Sequence, residues 1–254
     1  MNQNNTARPI TQSNFSRSPV DIIIPFHGQY DKVSRLVKSI LKATLSNPYQ
    51  ICLVDDASPN AEFIKEMKSV AQTITIRNEK QLGFGGSLKV GFNATEQPWV
   101  VFLNSDCHIE QAGWLIEMGR SLLELKPKGV KMVSARSNNP GVGCDQLKAD
   151  INTVSEDYIL QKPEFLPLYC AMCHRELFNH IGGFIKNYPL MFEDEELAAR
   201  MRKYGYKQAV CGKSWVSHEG GATLDRLYAD SHSKYMDKYN KSREMCVADL
   251  LKVK

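Results

Sequence analysis

No apolar run in this chain approaches the roughly 20 residues that a membrane-spanning helix requires. Its opening 18 residues, rich in Asn, Ser, Thr and Gln, also lack the apolar core of an export signal. These two absences lead to the expectation of a soluble, cytoplasmic protein with a flexible lead over residues 1–18. There is no strong excess of one charge either: 32 basic against 28 acidic residues leave a net charge of +4, too little to mark a nucleic-acid binder. A disulfide framework is excluded by seven cysteines, an odd number scattered through apolar surroundings, which suits inert thiols in a reducing compartment. Internal repeats are missing, and so is the G-x-G-x-x-G spacing of a dinucleotide site. Gly83-Phe84-Gly85-Gly86 departs from it and follows the third strand, so it reads as close helix–strand packing or approach to a ligand. Cys170-Ala171-Met172-Cys173-His174 has the pattern of a c-type haem attachment, but without an export signal or a second cysteine pair neither haem nor zinc is expected.

What is present is an ordinary globular composition, 254 residues with 43% hydrophobic and 24% charged, enough for one sizeable core. Val20 to Pro25 is a β-branched run, and Asp31 to Ala43 carries Val33, Leu36, Val37, Ile40 and Leu41 at helical spacing. Tyr49 to Val54, Ile74 to Arg77 and Trp99 to Leu103 read as further strands. Asn60 to Ala71 and a segment from the glycine turn to Ala94 read as helices. Short apolar strands alternating with helices predict a Rossmann-like, mostly parallel sheet covered on both faces. From Gly129 the pattern changes to a strand (Val130 to Ala135), a polar loop (Ser137 to Gly143), another strand (Leu168 to Met172) and a helix from Arg175. That region is expected to form a small antiparallel or irregular acceptor-side portion of the same domain, which spans residues 19–223. The remaining 224–254 reads as a C-terminal helical segment.

In such a sheet a ligand sits beyond the carboxyl ends of the strands. The residues there are Pro25-Phe26-His27, Asp55-Asp56, Arg77-Asn78 and Asn104-Ser105-Asp106. Asp106 is placed to reach a divalent cation held by two phosphates, although Asn, Ser and Asp also form plain turns after strands. Asp55 and Asp56 could accept hydrogen bonds from a ribose or a base, or cap a helix. Glu193-Asp194-Glu195-Glu196 opens a helix, where acids also stabilise the helix dipole by about 0.3 to 1 kcal/mol. His218, ahead of Gly220 and Gly221, is either a ligand or a structural histidine.

Taken in order, these segments resemble the inverting family 2 glycosyltransferases of the GT-A fold, from about Val20 to Thr223. The likeness is carried by Val20 to Pro25, Val54-Asp55-Asp56-Ala57-Ser58, Asn78 with Leu82-Gly83-Phe84-Gly85, and Leu103-Asn104-Ser105-Asp106. Ile181-Gly182-Gly183-Phe184, Phe192 to Arg200 with Gly205-Tyr206, and His218 complete it. The resemblance implies a nucleotide-sugar donor, UDP- or dTDP-linked, bound by Asp56 with neighbours Pro25, Asp55, Asn78, Gly83, Asn104 and Ser105. It implies a Mn2+ or Mg2+ ion on Asp106 and His218, and Asp194 as catalytic base, with Glu193 beside it orienting the acceptor or capping the helix. Glu195 and Glu196 are expected to face solvent or the helix dipole. A glycan or lipid-linked acceptor follows, with a role in polysaccharide biosynthesis, and the Asn-Ser-Asp form is closest to rhamnosyl- and galactosyl-type members. Asn104 replaces the usual first acid of D-x-D, leaving fewer protein charges on the ion, and Lys89 stands where an Asn is usual.

Other readings remain beside it: a sugar nucleotidyltransferase, which would want a basic glycine-rich loop after the first strand, and an inactive nucleotide-sugar or carbohydrate-binding module. The C-terminal segment places Leu224, Leu227, Tyr228, Tyr235, Met236 and Tyr239 on one helical face with Lys234, Lys238, Lys241 and Arg243 around it. It reads either as a helix packed on the main domain or as one lying peripherally on a membrane.

Overall fold

A computed structural model describes residues 15–44, 47–188, 191–220 and 232–253. Strand β1 (Val20–Phe26) is buried along its whole length, as a strand covered on both faces must be. Helix α1 (Tyr30–Ala43) follows and turns Val33, Leu36, Val37 and Ile40 inward. Strand β2 (Tyr49–Asp55) pairs parallel with β1, and β3 (Thr73–Arg77) pairs parallel with β2. The helix between them, α2 (Glu62–Met67), is shorter than expected. Past Met67 the amides of Lys68, Ser69 and Val70 bond three residues back instead of four, a tightening that ends the helix. Helix α3 (Gly83–Asn93) then leads into β4 (Trp99–Leu103), which lies parallel to β1 on its other side.

Beyond β4 come β5 (Cys107–His108), α4 (Trp114–Leu125), β6 (Val130–Arg136), β7 (Tyr158–Ile159) and β8 (Cys170–His174). They are followed by α5 (Leu177–His180), α6 (Glu193–Lys203), β9 (Lys207–Trp215), β10 (Ser217–His218) and α7 (His232–Val253). The main sheet has eight strands in the order β3-β2-β1-β4-β8-β6-β9-β7. Only β8 and β7 run against the rest, and β5 with β10 forms a separate two-stranded antiparallel sheet. The expected mostly parallel sheet with a small antiparallel portion is therefore the observed architecture. The expected strand from Leu168 starts two residues later, and Arg175 does not begin a helix. Its guanidinium instead bonds the buried Asp21 carboxylate at 2.8 Å and the carbonyls of Phe92 and Gln97, tying reversed strand β8 to β1 and to the end of α3.

Phe15, inside the stretch read as a lead, is fully buried and packs edge-on against Trp99 at 5.4 Å. All seven cysteines are buried and free. Among the described residues no helix is long and apolar enough to cross a membrane. Leu224, Leu227 and Tyr228 lie outside the described residues; Tyr239 packs on Phe192 at 5.3 Å, so α7 is docked beside the start of α6.

Helix α3 seats on the sheet at Gly91, where an added Cβ would lie 2.5 Å from Ile23 Cγ2 and 3.0 Å from Val54 Cγ2. Gly91→Ala gains about 0.5–1 kcal/mol of helix propensity but overpacks the sheet by about 1–3 kcal/mol. The net expectation is a loss of about 1 kcal/mol, read as a lower urea midpoint with unchanged slope; an unchanged or higher midpoint would contradict this seating.

Candidate active site

A cleft of about 830 Å³ opens beyond the carboxyl ends of β1, β2 and β4, within the range of small-molecule sites. Pro25, Asp56, Gly83, Asn104, Ser105, Asp106, Glu193, Asp194 and His218 all line it. Asp55 and Asn78 stand behind the wall. Asp55 is ion-paired with Arg77 and accepts the Ser58 amide at 2.8 Å, closing the turn after β2. Asn78 donates from Nδ2 to Asp56 Oδ1 at 2.9 Å and to Ser87 Oγ at 2.9 Å. Asp56 also accepts the amides of Leu82 at 2.7 Å and Gly83 at 2.9 Å, so one buried carboxylate holds the first turn of α3.

On the floor, a turn closed by the Cys107 amide on the Asn104 carbonyl at 3.1 Å aims Asp106 at His218. Asn104-Ser105-Asp106 therefore forms a turn, one of the two readings of this segment. His218 Nδ1 lies 2.6 Å from the Asn139 carbonyl, which can only accept, so this nitrogen carries a proton. Its Nε2 then faces Asp106 Oδ1 at 3.3 Å, two acceptors in close approach that call for a proton or a cation between them. An ion about 2.1 Å from each of two ligands at right angles needs them about 3 Å apart, which this pair satisfies. Asn104 Nδ2 lies 3.3 Å from the same Nε2, and its buried Oδ1 has no hydrogen-bond partner. These groups fit a hard divalent cation. Cys107 lies within the same cluster, but burial, then the neighbouring Cys170 thiol and the Asp106 charge, push its thiol well above its ordinary pKa, and its Sγ points to the Tyr169 carbonyl; a soft thiol so held is a poor ligand for such an ion. Burial pushes Asp106 up, yet the hydrogen bond and charge of His218, with the charge of Lys32, outweigh it and hold the carboxyl below its usual value.

Across the cleft, α6 begins at Glu193 after two non-glycine residues in the left-handed region, Met191 at φ 61° and Phe192 at φ 76°. Burial raises Glu193 to about 7. Asp194 is raised well above its ordinary value, by burial first and then by the Glu193 charge, while the Leu168 amide opposes the shift. Glu195 is half-buried and also lines the cleft. Of the two placements expected for Glu196, solvent or the helix dipole, solvent is excluded. Glu196 is 1% exposed and grips Arg200 through both oxygens at 2.9 and 3.0 Å, and Arg200 bonds the carbonyls of Gly183 and Phe184.

Several residues in or beside the cleft are not expected there from sequence; Lys238, Tyr239 and Lys241 are read only as part of the C-terminal helix. Tyr169 stacks on the His218 ring at 5.0 Å. Asn138 Oδ1 accepts the His218 amide at 2.9 Å, and Asn187, Lys238, Tyr239 and Lys241 reach the cleft from distant segments. Asn138 and Asn139 fell in a polar loop, whose composition marks a turn but not the histidine 79 or 80 residues away that it supports.

Comparison with solved structures places this fold among GT-A proteins. GalNAc-T7, solved with UDP, GalNAc and Mn2+, superposes with a TM-score of 0.62 over 86% of this chain and 49% of that one, at 15% identity. The profile of glycosyl transferase family 2 matches residues 21–182, and the chain belongs to that family. It is 31% identical over 165 residues, 65% of this chain, to an uncharacterized glycosyltransferase of Haemophilus influenzae. It is 26% identical over 196 residues, 70% of this chain, to the O-antigen chain rhamnosyltransferase WbaN of Salmonella anatum. The matches span 50% and 59% of those two relatives.

The raised Glu193 has a consequence for stability. Below pH 4.5 it is protonated folded and unfolded alike, and its environment costs nothing. As pH rises towards about 7 the unfolded chain gives up a proton that the folded chain keeps, so stability falls, by about 3 kcal/mol in full. Glu193→Gln is therefore expected to be more stable than the wild type at pH 8 and equal to it near pH 4, in urea titrations at both. An equal loss at both pH values would refute the assignment.

Proposed function

We propose that the protein moves a glycosyl group from a nucleoside-diphosphate sugar, UDP- or dTDP-linked, to a hydroxyl of a glycan or lipid-linked acceptor with inversion at the anomeric carbon. The observation that carries this reading is one cleft with an acceptor pair fit for a cation, Asp106 and His218, on one wall and raised acids, Glu193 and Asp194, on the other. A Mn2+ or Mg2+ ion bound there would supply positive charge against the diphosphate as it leaves. Asp106 and His218 would hold it, while the nucleoside would bind at Asp56 and the turn at Leu82 and Gly83 that Asp56 holds.

The acceptor hydroxyl must lose a proton as it attacks. Asp194 lines the cleft and sits in surroundings that raise its proton affinity, which is what a general base requires. Glu193, more deeply buried beside it, orients the acceptor or caps α6. A single displacement needs one such carboxylate behind the sugar; a double displacement would need a nucleophile there as well. The rhamnosyltransferase relative and the Mn2+-bound GT-A structure support a metal-assisted sugar transfer, and the rhamnosyl or galactosyl class is the first donor set to try.

Two measurements test this. Asp194→Asn keeps the shape of the side chain but removes the proton acceptor, so turnover is expected to fall by about 10²-fold or more with donor affinity nearly unchanged. Near-normal turnover in that variant, or a product of retained configuration by NMR, would overturn the mechanism. Asp106→Ala and excess chelator are each expected to abolish transfer. Full activity in chelator removes the metal from the scheme, and nucleotide-sugar binding without transfer or hydrolysis would favour an inactive binding module.

A further inference from the structure

One side chain, Asn187, ties the donor wall of the cleft to the chain ahead of α6. On the donor wall, Asp56 holds the amides of Leu82 and Gly83. The next turn of α3 is held from the other wall: the Gly86 amide donates to Asn187 Oδ1 at 3.0 Å, and Asn187 Nδ2 donates to the Leu82 carbonyl at 3.0 Å. Asn187 leads into the segment that ends in Glu193 and Asp194. The adjacent Tyr188 is buried, and its hydroxyl donates to Asp249 Oδ2 on α7 at 3.1 Å. Asn187 and Tyr188 are thus gripped by α3 on one side and α7 on the other.

The glycine cluster now has a physical reason. A Cβ at Gly85 would lie 2.8 Å from the Lys186 carbonyl oxygen and 3.2 Å from Asn187 Cα, so what approaches α3 closely here is the protein's own chain. We propose that Asn187 is a positioning residue, a latch that sets the segment bearing Asp194 against the donor-binding turn organised by Asp56. The proposal rests on the reading of this cleft as a sugar-transfer site. Because the Asn187 amide is exposed and water competes for both bonds, the latch contributes about tenfold and no more.

The test uses Asn187→Ala and Gly85→Ala, singly and together, in the full chain. Asn187→Ala removes the latch, and Gly85→Ala pushes the segment away while leaving the asparagine in place. Each is expected to lower kcat by about tenfold while donor KM moves less than about threefold. The double variant should be no worse than either single one. Amide hydrogen exchange should quicken by about tenfold in peptides covering Met191 to Glu195 and in the first turn of α3, and stay unchanged in β1 and β4. Unchanged kcat and exchange in Asn187→Ala, additive losses in the double variant, or faster exchange spread over the whole chain would each overturn the latch. If the wild-type protein transfers no sugar from any donor, the functional reading fails and exchange alone decides: local quickening upholds the latch and its absence overturns it.

Discussion

A buried carboxylate must find partners, and the solution found by Asp56 organises the cleft. Its two oxygens take the Asn78 amide from the end of β3 and two backbone amides from the start of α3, so three chain segments meet on one group at the carboxyl edge of β2. Everything further along inherits that placement. The first turn of α3 is fixed, Asn187 docks on it, and the chain from Asn187 runs on to the acids of α6. Glu196 and Arg200 hold the preceding Gly183 and Phe184 carbonyls in turn, so the acid-bearing helix is braced from behind as well.

The cleft separates two kinds of acid by environment. Asp106, facing a histidine nitrogen and within the field of Lys32, is held in its charged form. Glu193, raised by burial, and Asp194, raised by burial and by the Glu193 charge, are held towards their protonated forms. Carboxyl groups driven apart in this way can divide labour, one binding positive charge and the other exchanging protons. Asp106 stands in the turn after β4, and the raised acids stand at a helix start that follows Met191 and Phe192, both at positive φ.

Much of this was readable from local pattern. β4 is apolar throughout, and β1 and β2 are broken only by Asp21, Gln50 and the terminal Asp55, because both faces are covered; that signal needs no knowledge of partners. α1 carries its stripe in five residues. α4 was overlooked although Trp114, Leu115, Met118, Leu122 and Leu125 recur at helical spacing; the spacing was there to be counted. The reversed sense of β8 is a different matter, since Cys170-Ala171-Met172-Cys173 is as apolar as a parallel strand and only its pairing with β4 and β6 reveals the direction. Site residues divide the same way. Asp106 and His218 stand at element ends where ligands bind, and could be nominated. Asn187 and Tyr169 act through contacts 101 and 49 positions away in the chain, with Gly86 and His218, and nothing local marks them.

The buried thiols carry a consequence of their own. Burial pushes Cys52, Cys173 and Cys211 up to about 12 and Cys170 higher still, so in the closed protein almost no thiolate is present to react. Cys52 lies in β2, Cys170 and Cys173 in β8, Cys211 in β9 and Cys246 in α7. A thiol reagent can therefore reach each one only when its own part of the molecule opens, and the chain carries a set of internal clocks, one per region, whose separate labelling rates would rank the strands and helices by how often they come apart.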